Sequence, residues 1–103
     1  MTKSIREAIE SPMQQGADES IAYAVTTTRW GSSPTSVAVA AFEGTARTDV
    51  STTVLTGTAS VTGDVITTPI VHSLTAGNVY RIEVKFTVSG NVMEMYFILQ
   101  AEN

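Results

Sequence analysis

The residues that could do chemistry in this 103-residue chain are few and scattered. The sequence contains no cysteine, which excludes thiol catalysis, zinc-thiolate sites and a disulfide scaffold. The only histidine, His72, has no second histidine and no serine or carboxylate set at a catalytic spacing, so we interpret it as a loop or surface residue. Asp18 and Glu19 lie in a predicted loop over residues 14–19. Because they lack the spaced oxygen ligands of a calcium site, we interpret them as a solvated acidic turn. We therefore expect no enzyme, catalytic residue, metal, cofactor or small-molecule substrate.

The charge balance limits the partners of the chain. Six basic residues stand against ten acidic ones, which gives a formal net charge of −4. The basic residues are scattered, and binding to nucleic acid or to an anionic membrane requires a basic patch that replaces counterions. No segment approaches the roughly 20 apolar residues of a membrane span, and the start of the chain has no apolar run typical of a signal peptide. We expect no nucleic-acid partner, no membrane partner and synthesis in the cytoplasm.

The composition predicts an all-β fold. Thr, Ser, Val and Ala dominate, only 16% of residues are charged, and short apolar runs recur between turn-forming residues. About seven strands are predicted, near residues 20–28, 36–43, 48–54, 58–62, 65–71, 79–89 and 92–101. This number is typical of a single immunoglobulin-like β-sandwich of antiparallel strands, which we assign to residues 20–103. Residues 1–19 are assigned to a short N-terminal arm.

The strongest pattern is a hairpin near the end of the chain. Residues 80–88 alternate apolar and polar without a fault, and apolar residues recur at every second position over residues 93–101. Gly90-Asn91 stands between the two runs and suits a two-residue primed turn, because glycine accepts a positive φ without steric cost. The sequence therefore predicts two long paired strands with one buried face.

The apolar faces suggest a register for this hairpin. With Gly90-Asn91 as the loop, Phe86 lies opposite Met95 and every core residue faces another core residue. A three-residue loop over residues 89–91 would place Phe86 opposite Glu94, since a one-residue shift turns a whole strand over. We therefore predict the two-residue loop.

A second, shorter hairpin is predicted around Gly63-Asp64. With this pair as its loop, Val61 lies opposite Ile66 and Ser60 lies opposite Thr67.

The segment before the penultimate strand resembles a known corner. Leu74-Thr75-Ala76-Gly77-Asn78-Val79-Tyr80 is similar to the corner of immunoglobulin-like and fibronectin type III-like modules, where a leucine precedes a tyrosine by six residues. In those folds the tyrosine hydroxyl bonds back to the backbone of the loop. The resemblance implies this role for Tyr80.

A longer resemblance runs from about Gln15 to Glu102. It is carried by Asp18-Glu19, Tyr23, Trp30-Gly31, Ser33-Pro34-Thr35-Ser36-Val37, Asp49-Val50, Val54-Leu55-Thr56-Gly57, Gly63-Asp64-Val65-Ile66, Leu74-Thr75-Ala76-Gly77, Tyr80-Arg81 and Gly90-Asn91. This succession is similar to small proteins encoded among the head and tail genes of tailed bacteriophages and prophages. The resemblance implies a non-enzymatic virion structural or accessory protein that contacts itself or other virion proteins. Its expected location is the virion, and the host cytoplasm during assembly.

The alternative function is a secreted or surface adhesion or carbohydrate-binding immunoglobulin-like module. The missing export signal weighs against this alternative.

The candidate interface residues are Val92, Tyr96, Ile98 and Trp30. The first three form an apolar row on the outward face of the last strand, where a solvated strand would carry polar residues. We predict that another subunit covers this row, with Tyr96 as its anchor. The alternative is that the N-terminal segment folds back over it through Ile5, Ile9 or Met13.

Trp30 has two interpretations. It is either a lid over one end of the core or an exposed anchor for a protein or sugar partner, a use that suits the large rigid ring of tryptophan.

Overall fold

The computed structural model describes residues 13–102, and the regular secondary structure of this part of the chain is almost entirely β. The strands are β1 (Met13–Gly16), β2 (Ala24–Thr26), β3 (Thr35–Glu43), β4 (Thr48–Asp49), β5 (Leu55–Thr56), β6 (Ser60–Thr62), β7 (Val65–Thr67), β8 (Ile70–Val71), β9 (Val79–Val88) and β10 (Asn91–Glu102), and the helix is α1 (Ser51–Val54). The predicted all-β class is confirmed. The described strands are more numerous than predicted; β2 and β4 are much shorter than predicted, whereas β3 and β10 are slightly longer. Ile5 and Ile9 lie outside the described residues.

The strands form one large sheet and two small ones. The five-stranded sheet has the order β1-β10-β9-β3-β4, the three-stranded sheet has the order β2-β7-β6, and β5 pairs with β8. All pairs are antiparallel except β1 with β10, which is parallel. An isolated bridge between Ile21 and Val71 extends the pairing beside β8.

The core lies between the large sheet and the smaller ones. The inward side chains of β9 and β10 are buried, namely Tyr80, Ile82, Val84, Phe86, Val88, Met95, Phe97, Leu99 and Ala101. Tyr23, Val25, Ile66 and Val71 from the opposite layer belong to the same cluster, and the ring of Tyr23 lies 5.2 Å from that of Phe97. Full burial of one large apolar side chain contributes about 1.5–3 kcal/mol, so this single cluster holds the two layers together.

The long hairpin forms, but its register differs from the predicted one. Asn91 pairs with Val88, so the two-residue loop is Ser89-Gly90 and not Gly90-Asn91. Phe86 therefore lies opposite Met93, and the predicted pairing of Phe86 with Met95 is wrong. The shift is two residues, so every side chain stays on its predicted face.

Backbone conformation explains the choice of loop. A type I′ turn requires a positive φ at both central residues. Ser89 has φ 49° and Gly90 has φ 80°, whereas Asn91 begins the extended strand β10. The glycine supplies one left-handed position at no cost, and Ser89 adopts the other.

The short hairpin is confirmed as predicted. Val61 pairs with Ile66 and Ser60 pairs with Thr67 around the Gly63-Asp64 turn. Strand β7 ends at Thr67. The next residue, Thr68, accepts a hydrogen bond from the Tyr23 N–H through its hydroxyl at 3.0 Å.

The segment predicted as a strand over residues 48–54 is a strand only at Thr48–Asp49, and it then turns into α1. Asp49 accepts a hydrogen bond from the Ser51 N–H at 2.9 Å, and these Ser51 contacts lower the pKa of Asp49. The Ser51 hydroxyl in turn accepts the Ala41 N–H at 2.9 Å. The prediction of a full strand is wrong because these local side-chain bonds replace the ladder.

Met13–Gly16 forms a strand within the segment assigned to the arm, so the predicted loop over residues 14–19 is wrong at its start.

The side chain of Gln15 is buried, and both its amide nitrogen and its amide oxygen form hydrogen bonds. Its Nε2 donates to the carbonyls of Val71 (2.8 Å) and Glu19 (3.0 Å), and its Oε1 accepts from the Tyr23 hydroxyl at 2.6 Å. Burial, with a smaller effect of the Glu19 charge, raises the pKa of Tyr23. Because a buried amide without partners would be costly, this network ties β1 to the opposite layer.

The corner at Tyr80 has the hydrogen bond that the resemblance implied. The Tyr80 hydroxyl accepts the Thr75 N–H at 2.8 Å and donates to Glu43 Oε2 at 3.0 Å. Asn78 Nδ2 donates to the same carboxylate oxygen at 2.7 Å. The buried tyrosine therefore fixes the loop before β9 to the end of β3.

The turn geometry generates the first prediction. Ser89→Asn should raise the free energy of unfolding by about 0.5–1 kcal/mol, because Asn-Gly is the preferred type I′ pair. Thr87→Asn, within β9, is the control and should lower it, since asparagine is depleted in strands. Urea unfolding of both variants measures the effect. An Ser89→Asn variant less stable than wild type would contradict the Ser89-Gly90 loop.

The corner generates the second prediction. Tyr80→Phe should lower the free energy of unfolding by about 1–3 kcal/mol, because it removes a bond to a carboxylate and leaves the Thr75 N–H without an acceptor. Tyr96→Phe is the matched control, since the Tyr96 hydroxyl makes no hydrogen bond within residues 13–102, and it should change stability by less than about 0.5 kcal/mol. Equal losses in the two variants, measured by urea unfolding, would reject the stabilising role of the corner.

Candidate interaction surface

The outer face of the large sheet, which points away from the core, is formed by the outward side chains of β10 and of the neighbouring strand β9. Val92 pairs with Thr87, Tyr96 with Glu83 and Ile98 with Arg81. On the other side of β9, Ala40 pairs with Glu83 and Phe42 with Arg81. The face thus alternates apolar and charged side chains across three strands.

The centre of this outer face is a stacked pair. The guanidinium carbon of Arg81 lies 3.7 Å from the centroid of the Tyr96 ring, a cation-π geometry. Arg81 Nε also donates to Glu83 Oε2 at 2.6 Å, and the two side chains are only 17% and 28% exposed. Tyr96, the predicted anchor of the row, is half-buried, and the Arg81 that stacks on its ring is also held by Glu83.

The other two residues of the row differ in exposure. Val92 is 63% exposed and lies beside the hairpin turn, whereas Ile98 is half-buried near the opposite end of β9. Met13, one of the residues proposed to fold back over the row, lies in β1 opposite Leu99 and packs against the core. Val92, Tyr96 and Ile98 share one face, but they are not a uniform apolar strip.

Trp30, the fourth candidate interface residue, does not lie on the outer face with Val92, Tyr96 and Ile98. Its ring is half-buried, packs against the core and meets Phe86 edge-on at 6.1 Å between centroids. The guanidinium carbon of Arg29 lies 5.0 Å from the Trp30 ring. Because Phe86 points inward, Trp30 lies on the core side of the sheet, as the lid interpretation expects, and it does not join the outer face.

Two contacts hold the Trp30 loop. The Asp64 carboxylate accepts the Ser33 N–H at 3.2 Å, and the Asp64 backbone carbonyl accepts the Thr27 N–H at 2.8 Å.

Gly31, in the same loop, has φ 154°, and a Cβ at this position would approach Val88 Cβ to 3.0 Å. Glycine is therefore required for both its backbone and its size.

The polar residues considered for chemistry are engaged locally. His72 Nε2 lies 2.6 Å from Thr56 Oγ1, and His72 Nδ1 lies 2.8 Å from Ser73 Oγ. Glu19 Oε1 accepts the Gly16 N–H at 2.7 Å. Within the described residues, no cluster of three His, Asp or Glu side chains could hold a metal ion. In the same part of the chain, no helix is long and apolar enough to cross a membrane.

The structure contains a groove that sequence reasoning missed. It has a volume of about 820 Å³ and lies at the end of the outer face, between the β3–β4 turn and the loop before β9. Its lining residues come from the distant segments 43–47, 77–79, 81 and 98. No local pattern marks such a groove, because only the pairing of β3, β9 and β10 brings these segments together.

No family model, curated protein or solved structure matches this chain. The functional argument therefore rests on the residues and on the geometry described above.

The stacked pair generates the third prediction. A double-mutant cycle with Arg81→Met and Tyr96→Leu should give a coupling energy of about 0.5–2 kcal/mol, since the two side chains form a partly desolvated cation-π contact. The control cycle pairs Arg81→Met with Val92→Ala, which lies beside the hairpin turn, and should give a coupling near zero. Urea unfolding supplies the free energies. No coupling in the first cycle would show that the stacking contributes nothing to stability.

Proposed function

We propose that this chain is a non-enzymatic protein-protein contact module with an immunoglobulin-like sandwich fold, and that it serves as a structural or accessory protein of a phage or prophage virion. The observation that carries the contact role is the outer face of the large sheet, with Tyr96 and Arg81 stacked at its centre. The virion assignment comes from the sequence resemblance.

The strand order supports the immunoglobulin-like part of the proposal. Immunoglobulin domains place strands A, B, E and D in one sheet and C, F and G in the other. The order β3-β9-β10 in the large sheet corresponds to C-F-G, and β2-β7-β6 corresponds to B-E-D, with the chain order preserved. The Tyr80 corner lies at the start of the strand that corresponds to F. The parallel strand β1 on β10 departs from the seven-strand pattern.

The outer face has the properties of a contact surface. Tyrosine and arginine are enriched in protein interfaces, and a rigid side chain loses little conformational entropy on binding. Arg81 is held by Glu83 and by the Tyr96 ring, and all three project from the long paired strands β9 and β10. Val92, exposed at the same face, extends the apolar area toward the hairpin turn. The proposed partners are a second copy or another virion protein.

The adhesion or carbohydrate-binding alternative has no such observation in its favour. Its best sequence candidate, Trp30, packs edge-on against Phe86 and does not present a bare ring to a sugar.

The experiment follows the protein into particles. In a culture that carries the gene, gradient-purified particles should contain the chain together with capsid and tail proteins, as measured by mass spectrometry. Tyr96→Glu should lose this association, because it places a carboxylate opposite Glu83 and removes the stacked ring. Thr62→Glu, exposed on β6, is the control and should still be incorporated.

Two outcomes would contradict the proposal. Wild-type protein found only outside the particle fraction would reject the virion role. A Tyr96→Glu variant that is folded by urea unfolding and incorporated like wild type would reject the outer face as the contact surface.

A further inference from the structure

The groove at the end of the outer face combines charged and apolar walls. Arg47 lies in the β3–β4 turn, Arg81 is on β9, and Glu43 ends β3. Val79, which is 45% exposed, and Ile98 supply apolar lining. Two cations thus face a groove with one anion, in a chain whose formal net charge is −4.

The one carboxylate of the groove is already engaged. Glu43 Oε2 accepts hydrogen bonds from the Tyr80 hydroxyl (3.0 Å) and from Asn78 Nδ2 (2.7 Å). Its charge is therefore held toward the corner, and neither arginine forms an ion pair with it within the described residues. Arg81 is paired with Glu83, so the positive charge that stays unpaired at the groove, within the described residues, is that of Arg47.

Arg81 is oriented before any ligand arrives. Its Nε is bonded to Glu83, and the plane of its guanidinium is fixed by the Tyr96 ring. Its terminal Nη groups make no hydrogen bond to any residue in 13–102, and the side chain lines the groove. A planar guanidinium with two free terminal donors matches a carboxylate, and its fixed orientation lowers the entropy cost of binding.

Arg47 supplies the second charge from an exposed turn. The Arg47 N–H donates to the Gly44 carbonyl at 3.2 Å and closes the turn, and Arg47 adopts a left-handed φ of 53°. Its side chain has no hydrogen-bond or ion-pair partner within the described part of the chain.

We infer that this groove binds an acidic peptide segment of a partner protein, with Arg81 holding a carboxylate of the segment, Arg47 attracting its charge and Val79 contacting an apolar side chain. The groove volume of about 820 Å³ is far larger than one small anion needs, and its apolar lining would not contact inorganic phosphate favourably. The inference rests on the proposed contact function and adds to it the chemistry of the partner.

The test is an NMR titration of the ¹⁵N-labelled full chain with the blocked tetrapeptide Val-Glu-Val-Glu. Saturable shifts are expected for the backbone amides of residues 44–47 and 77–79 and for Arg81 Nε. The matched peptide Val-Gln-Val-Gln should give none. Arg81→Lys, which keeps the charge but loses the fork, and Arg47→Asn, which tolerates the left-handed backbone, should each weaken binding about tenfold. Lys85→Gln removes one charge from β9 away from the groove and should change the affinity less than about twofold.

Three results would overturn the inference. The first is no saturable shift with the acidic peptide. The second is an equal loss of affinity in Lys85→Gln, which would mean that net charge alone attracts the peptide. The third is inorganic phosphate binding as tightly as the peptide, which would make the groove a general anion site. Because purified protein is used, failure here is distinct from failure of the chain to enter particles.

Discussion

The whole fold depends on the burial of one face of β9 and β10. Their inward side chains are almost fully excluded from solvent, and β2, β7 and β8 supply the residues that cover them. Long strands with a continuous apolar face cannot stand alone, since an isolated hairpin is marginally stable in water. The short strands of the opposite layer contribute Val25, Ile66 and Val71 to this core. Tyr23 and Trp30, which lie outside the strands, meet the rings of Phe97 and Phe86.

At the edges of the core, hydrogen bonds from polar side chains link segments that no backbone strand pairing joins. Gln15 links β1 to Tyr23 and Val71 across the layers, and Tyr80 links the loop before β9 to Glu43. The described residues contain no buried side-chain nitrogen or oxygen without a hydrogen-bond partner. These bonds favour the native arrangement because each would leave a costly unpaired group in any alternative packing.

The sequence predicted the features that depend on local pattern. The faces of β9 and β10, the Gly63-Asp64 hairpin and the Tyr80 corner were accessible from alternation, turn residues and a resemblance. The exact loop of the long hairpin was not, because a two-residue shift preserves every face and only the left-handed φ of Ser89 distinguishes the two registers. The strand β1 and the groove were missed for another reason. Both depend on partners far away in the chain, and the buried role of Gln15 carries no local signal.

Arg47 adopts a left-handed backbone conformation that is unfavourable for a non-glycine residue. A left-handed φ costs a non-glycine residue about 1–2 kcal/mol, whereas glycine adopts it freely, as Gly44 does at φ 70° in the same turn. Stability alone would therefore favour glycine at position 47. The side chain there makes no hydrogen bond or ion pair within the described residues that could offset the cost, yet it places a positive charge beside the groove. A positive charge beside the groove is what the proposed acidic partner would use at this position.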